Sequence, residues 1–247
     1  MTARTMVRDS EIAIGLLLPD ILGTYGDNGN ARVLAKRLEW RGIPSRVLSI
    51  DMATEVPSSC DVYVMGGGED ECQSLATRRL RSQPGFRAAL DRGAVLLAIC
   101  AGFQIIGTTF TSTTGQSEGG LELVEMDTVA AVGPRSVGEL ALRPATALLT
   151  STLTGFENHQ GHTNLGAGVE PLGTVRSGIG NGNGVDGALR GHVVGTYLHG
   201  PALARNPELA DLLLTWAVGE ELAPLPLDEV AQLRRERLAA VGAADPT

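Results

Sequence analysis

Residues 94–107 read AVLLAICAGFQIIG. An apolar run stops at Cys100, small residues follow, and a second apolar run begins. The first run has the length of a buried strand and the second starts a helix. A thiol at that junction lies where open α/β sheets place their active sites. A tight strand–turn–helix elbow exposes a nucleophile and needs small neighbours, which Ala98, Ala101 and Gly102 supply. The free N–H groups of the helix start favour thiolate and can hold a developing oxyanion. The same text also suits a buried core thiol, since free cysteine is among the most buried residue types. Both readings stand at this point.

Working outward, strand-like and helix-like text alternates through the first 110 residues. Strands are expected at 12–19, 45–50, 61–65 and 94–99, with helices at 28–42, 69–81, 84–92 and from 101. That alternation predicts a parallel α/β sheet flanked by helices. From about 120 to 200 the text turns to strand-like runs with Gly-rich turns, which adds antiparallel β-structure. The run SGIGNGNGVDG (177–187) reads as a turn or hairpin rather than a phosphate cradle, because no helix follows it. FENHQGHT (156–163) reads as a loop. Helices return at 206–218 and 227–240, the latter with Val230, Leu233 and Leu238 among charged residues. The expected organisation is a flexible segment at 1–11, one domain at 12–218, and a helical extension with a frayed tail at 219–247.

The 247 residues are 43% hydrophobic and only 4% aromatic, so the core must be mostly aliphatic. A net charge of -8 without a basic block excludes the electrostatic footprint of a nucleic-acid binder. The apolar run at 12–18 is too short to cross a bilayer. Three cysteines without framework spacing fit a reduced cytoplasmic protein. Cys60 and Cys72 read as structural.

A thiol nucleophile needs a base. GHVVGTYLHG (191–200) places His199 at a strand end before a Gly turn, whereas His192 starts that strand and points away. If this strand neighbours that of Cys100, the two side chains meet. MGGGED (65–70) follows another strand, and its glycines allow close backbone approach to a ligand or simply a tight turn. Gly67, Gly68 and Ala101 are candidate oxyanion donors. Arg135, in GPRSVGE, can clasp a carboxylate with its guanidinium or stand as a surface residue. His159 and His162 have H-x-x-H spacing, but no further ligand completes a metal set and none is expected.

Together these segments resemble the class I glutamine amidotransferases. CAGFQ (100–104) matches their Cys-x-Gly-x-Gln elbow, and GFENHQG (155–161) with GTYLHG (195–200) is similar to the cobyric acid synthase-like (CobB/CobQ) branch. Within it, LLPDILGTYGDNGNARVLAKRLEWRG, GGGEDECQ, FENHQGHT and the Gly/Asn-rich run are similar to the glutaminase subunits of lipid II isoglutaminyl synthase. The resemblance covers about residues 12–218. It implies a single amidotransferase-like domain in which Cys100 attacks the amide of glutamine and His199 protonates the ammonia. Gln104, Glu157, Asn158 and His159 would frame the glutamine pocket. The ammonia would pass to a Mur ligase-like partner of the MurT type in a heterodimer. That partner, using ATP and Mg, would amidate the D-glutamate α-carboxyl of lipid II. One departure stands out. Many class I enzymes follow the histidine with Pro-Glu, and here His199 is followed by Gly200 and Pro201. A dyad, another carboxylate, or an acid from the partner would fill that place, and the last is the expectation.

Three alternatives compete. A cobyrinate-type glutaminase is usually fused to an ATP-binding domain, and no G-x-x-x-x-G-K-[ST] occurs here. PfpI-type hydrolases often place His directly after the nucleophile, where this chain has Ala101. An idle binding subunit would have no need of Cys100, Gln104 and His199.

Overall fold

The computed structural model describes residues 11–112 and 115–242. The expected flexible segment, apart from residue 11, and most of the frayed tail lie outside the described residues. In chain order the first half comprises β1 Ile12–Leu17, α1 Gly29–Glu39, β2 Ser45–Ile50, β3 Val62–Met65, α2 Asp70–Arg81, α3 Pro84–Asp91, β4 Val95–Ile99 and α4 Ala101–Ile105. The second half comprises β5 Thr109–Thr111, β6 Ser117–Gly119, β7 Met126–Ala130, β8 Ser136–Pro144, β9 Leu153–His159, β10 Gly161–Leu165, β11 Gly173–Ser177, β12 Val185–Asp186, β13 Ala188–Arg190 and β14 Val193–Thr196. The helices α5 Ala202–Arg205, α6 Pro207–Val218 and α7 Asp228–Ala240 follow.

The main sheet has six strands in the order β13-β14-β4-β3-β1-β2. All its pairings are parallel except that of the edge strand β13. Every residue of β1, β3 and β4 is buried. Such continuous apolar runs are what helices on both sheet faces demand. The expected elements of the first half therefore form within three residues of their predicted ends, the largest gap being the end of α1 at Glu39 rather than 42. Two four-stranded sheets, β10-β7-β5-β6 and β12-β11-β8-β9, carry the antiparallel additions.

The helical layer is fastened by charge as well as apolar contact. The Arg37 guanidinium on α1 donates Nε to Asp211 Oδ1 at 2.7 Å and Nη2 to Oδ2 at 2.6 Å, tying α1 to α6. Bidentate pairs of this kind fix geometry as well as supply energy. Helix α6 opens with Pro207 and stops at Gly219, whose φ of 81° is left-handed. Helix α7 departs from expectation: Leu238 is buried, but Leu233 stands exposed.

The loop expected at FENHQGHT is instead the end of β9 and the start of β10. Asn, His, Gln and Gly are poor strand formers in isolation. Here β9 pairs with β8 from Leu153 to His159, and β10 pairs with β7 from Gly161 to Leu165, so tertiary pairing overrides propensity. The Gly/Asn-rich run does lie in the turn between β11 and β12, as expected.

Candidate active site

β4 and β14 are neighbours, with Ile99 opposite Thr196. Cys100 and His199 therefore leave adjacent strands at the same carboxyl edge. The Cys100 N–H donates to Thr196 O at 2.9 Å, which fixes the elbow to its neighbour. Cys100 takes φ 51° and ψ -105°, a conformation that L-residues rarely adopt. That strain is a feature of nucleophile elbows and turns the thiol out of the sheet towards the cleft. His199 is held by two backbone bonds to Phe156 of β9, His199 N–H to Phe156 O at 2.8 Å and Phe156 N–H to His199 O at 3.1 Å.

The carboxylate missing after His199 is Asp27. Its Oδ2 accepts from His199 Nδ1 at 2.8 Å, and both side chains are fully buried. The same oxygen accepts the Gly67 N–H at 2.9 Å. The expectation that a partner supplies this acid is thus corrected: an acid in this chain already occupies the position. Asp27 lies on the turn that joins β1 to α1, and Thr24 N–H anchors that turn to Gly67 O at 3.1 Å. With Nδ1 engaged, the other edge of the ring is left for the thiol. Nε2 has no hydrogen-bond partner among the described residues, and the Cys100 thiol lies 3.9 Å from Asn158 O. Burial opposes protonation of His199, but the bond to Asp27 and the charges of Asp27 and Cys100 outweigh it and push its pKa up to about 10. The arrangement therefore favours the imidazolium form of His199.

The oxyanion candidates divide. The Gly67 N–H is spent on Asp27, so that residue does not serve as a free donor. A Cβ at Gly67 would stand 2.8 Å from His199 Cε1, so this glycine serves the close passage of the imidazole. Among the described residues, no acceptor meets the N–H of Gly68 or of Ala101.

A cavity of about 210 Å³ opens beside the thiol, lined among others by Gly68, Gln73, Cys100, Gln104, Arg135 and His159. Arg135 donates Nε to Asn158 Oδ1 at 2.7 Å and Nη2 to Asn158 O at 3.2 Å. This holds the guanidinium at the cavity wall and leaves Nη1 free among the described residues. The Asn158 side chain also donates to the Tyr25 hydroxyl, and the Tyr25 ring stands edge-on to His199 with centroids 4.9 Å apart. Gln104 donates Nε2 to the Tyr197 hydroxyl at 3.1 Å and accepts from Gln73.

His159 stacks on Tyr197 at 3.7 Å, with its ring nitrogens directed to Gly161 O and Glu157 Oε2. Glu157 does not line the cavity. Its carboxylate accepts the N–H groups of Ile179 at 2.7 Å and Gly180 at 2.9 Å and so pins the Gly-rich turn. His162 lies on β10, against Gly182. Among the described residues, no group of three or more His, Cys, Asp or Glu gathers as a metal site. No helix of the described residues is long and apolar enough to cross a membrane.

Cys60 packs against Gly15 of β1, Cys72 stands in the first turn of α2 beside Gly68, and burial raises both thiols above their ordinary pKa. His192 sits at the opposite end of β14, against Trp216 and Gly93 O. The sequence reading missed Asp27, Gln73 and Tyr25. Asp27 alone carried a signal: a carboxylate in a Gly-rich turn just past β1, two strands from β4 in the sheet order.

The model of a CobB/CobQ-like glutamine amidotransferase domain matches residues 13–207. A Staphylococcus aureus protein, lipid II isoglutaminyl synthase (glutamine-hydrolyzing) subunit GatD, is 32% identical over 92% of this chain and 94% of its own. Its namesake in Streptococcus pneumoniae is 33% identical over 84% of this chain and 81% of its own. A solved glutamine amidotransferase aligns with a TM-score of 0.56 at 19% identity, over 83% of this chain and 98% of that one, a likeness of fold. The strand-end thiol, the imidazole on the adjacent strand and this match over most of the chain agree: the protein belongs to the CobB/CobQ-like glutamine amidotransferases and is an enzyme of that family.

Proposed function

We propose that this chain is the glutaminase subunit of a lipid II isoglutaminyl synthase. It hydrolyses L-glutamine and delivers the ammonia to a Mur ligase-like subunit of the MurT type, with which it forms a heterodimer. That subunit, with ATP and Mg, activates the D-glutamate α-carboxyl of the peptidoglycan precursor lipid II, which the ammonia converts to D-isoglutamine. The work is done in the cytoplasm, at the inner membrane face through the complex. The line Cys100–His199–Asp27 beside the cavity carries the reading, and the two GatD relatives support its pathway.

The chemistry follows from the positions. The Cys100 thiolate attacks the side-chain amide carbon of glutamine, and its oxygen develops negative charge against the N–H groups of Gly68 and Ala101. As the tetrahedral intermediate collapses, the His199 imidazolium protonates the departing nitrogen, which leaves as ammonia. The glutamyl thioester remains on Cys100. Neutral His199 then takes a proton from water as the water attacks the thioester, so glutamate leaves and the thiolate–imidazolium pair is restored. Asp27 orients the ring and offsets its charge in both steps. Arg135 clasps the α-carboxylate of glutamine, while Gln104 and His159 shape the pocket. Asn158 aims Arg135, and Glu157 supports His159.

Co-expression with a Mur ligase-like subunit tests this reading. The two chains should co-purify and, with glutamine, ATP and lipid II, yield amidated product. Cys100→Ala should abolish glutamine-dependent product and spare synthesis from added ammonia. Loss of both routes in a folded complex would assign Cys100 a structural role instead.

A further inference from the structure

The glutamine reading leaves one end of the substrate without a partner. Free glutamine carries an α-ammonium as well as an α-carboxylate, and Arg135 serves only the second. No Asp or Glu is among the described residues that line the cavity. The ammonium must therefore meet a neutral acceptor.

Gln73, on α2, reaches the cavity wall although its residue is only 2% exposed. A relay of hydrogen bonds sets the direction of its amide. Thr163 Oγ1 pairs with Thr128 Oγ1 at 2.9 Å and with the Tyr197 hydroxyl at 2.9 Å. Gln104 Nε2 donates to that hydroxyl, which turns Gln104 Oε1 towards Gln73 Nε2. The Gln73 Oε1 is left over: no described residue donates to it. With the rest of the residue buried, an amide oxygen at the cavity wall that the fold leaves without a donor stands open to a ligand's N–H. Gln160 also lines the cavity, but it is exposed and its amide reaches back to Gly133 O at 2.8 Å.

We propose that Gln73 Oε1 accepts a hydrogen bond from the α-ammonium of glutamine, making Gln73 a specificity-determining residue that selects an amino acid over a simple amide. The inference rests on the glutaminase reading. Together Arg135 and Gln73 fix both charged groups of the α-carbon, which sets the reach of the side-chain amide to Cys100.

The test compares L-glutamine with glutaramate, its analogue lacking the α-amino group, as substrates of the full chain and of Gln73→Leu. The wild type should prefer glutamine. Gln73→Leu should lose about 10- to 100-fold in kcat/KM for glutamine, the range of a charged hydrogen bond, and change little on glutaramate, so discrimination collapses. Gln73→Glu, which retains an acceptor, should keep the preference and guards against a leucine variant that folds poorly. Equal losses on both substrates would assign Gln73 to propping Gln104 and overturn the proposal. Unchanged discrimination in Gln73→Leu would overturn it too. A wild type that hydrolyses no glutamine, alone or with its ligase subunit, would instead sink the glutaminase reading, and this inference with it.

Discussion

Replacing Asp27 with Asn tests the orienting acid most cleanly. One oxygen, Oδ2, accepts from both His199 Nδ1 and the Gly67 N–H, and the other, Oδ1, is buried without a donor. An asparagine can place its oxygen where Oδ2 stands and keep both bonds, with its NH2 in the place of Oδ1. The substitution then removes the charge with little change in geometry. A hydrogen bond to a charged group contributes about 1.5–3 kcal/mol against about 0.5–1.5 for a neutral one. The charge also supports the imidazolium across a buried, weakly screened contact. The loss should be about 1–3 kcal/mol, or about 5- to 150-fold in kcat at roughly 1.4 kcal/mol per decade. KM should hold, because Asp27 does not line the pocket. The pH profile supplies an independent readout. Asp27 is among the groups that raise His199 to about 10. Without its charge the imidazolium is lost at lower pH, so the alkaline limb of the rate profile moves towards neutrality. Steady-state glutamate release between pH 6 and 10.5 reads both effects. An unchanged kcat with an unmoved alkaline limb would refute the role of Asp27.

Further expectations follow from other contacts. Arg135→Ala should raise the glutamine KM strongly with a smaller effect on kcat, since it removes ground-state binding of the α-carboxylate; an unchanged KM takes Arg135 out of the site. His199 has a folded-state pKa raised from 6.5 to about 10, so its contribution to stability is full below about pH 6.5 and is lost as pH rises through about 10. Thermal denaturation should show that decline in the wild type and much less of it in Asp27→Asn. Burial first, opposed by the Thr196 hydroxyl, raises Asp186 from 3.8 to about 6. Its ionisation therefore costs stability above that range, and Asp186→Asn should raise the Tm at pH 8 and lose its advantage below about pH 4; no gain at pH 8 would contradict this. A Cβ at Gly195 would stand 2.1 Å from the buried Phe103 ring. Gly195→Ala should therefore destabilise the fold by about 1–3 kcal/mol in chemical denaturation.

The parallel sheet was legible because fully buried strands leave apolar runs, and β1, β3 and β4 are such runs. Cys100 and His199 were legible as strand-end residues once their strands were taken as neighbours, which the β4–β14 register bears out. Asp27 was not, because its partner lies 172 residues along the chain and the familiar place for an acid, just after the histidine, is filled by Gly200 and Pro201. The strands at FENHQGHT were hidden because pairing with β7 and β8, not local propensity, makes them. Gly67 looked like an oxyanion donor for want of any sign that its N–H belongs to Asp27. Hydrogen-bond direction is a tertiary property, and local text does not encode it.

The central claim is that Cys100 is the nucleophile of a glutamine pocket. Intact-mass and peptide mapping after exposure to a diazoketone analogue of glutamine test it directly. The account predicts a single adduct on Cys100, slowed by excess L-glutamine and absent in Cys100→Ala. Cys60 and Cys72, whose thiols burial holds protonated, should stay unmodified. An adduct on Cys72 or Cys60, or labelling of Cys100 that glutamine does not slow, would contradict it.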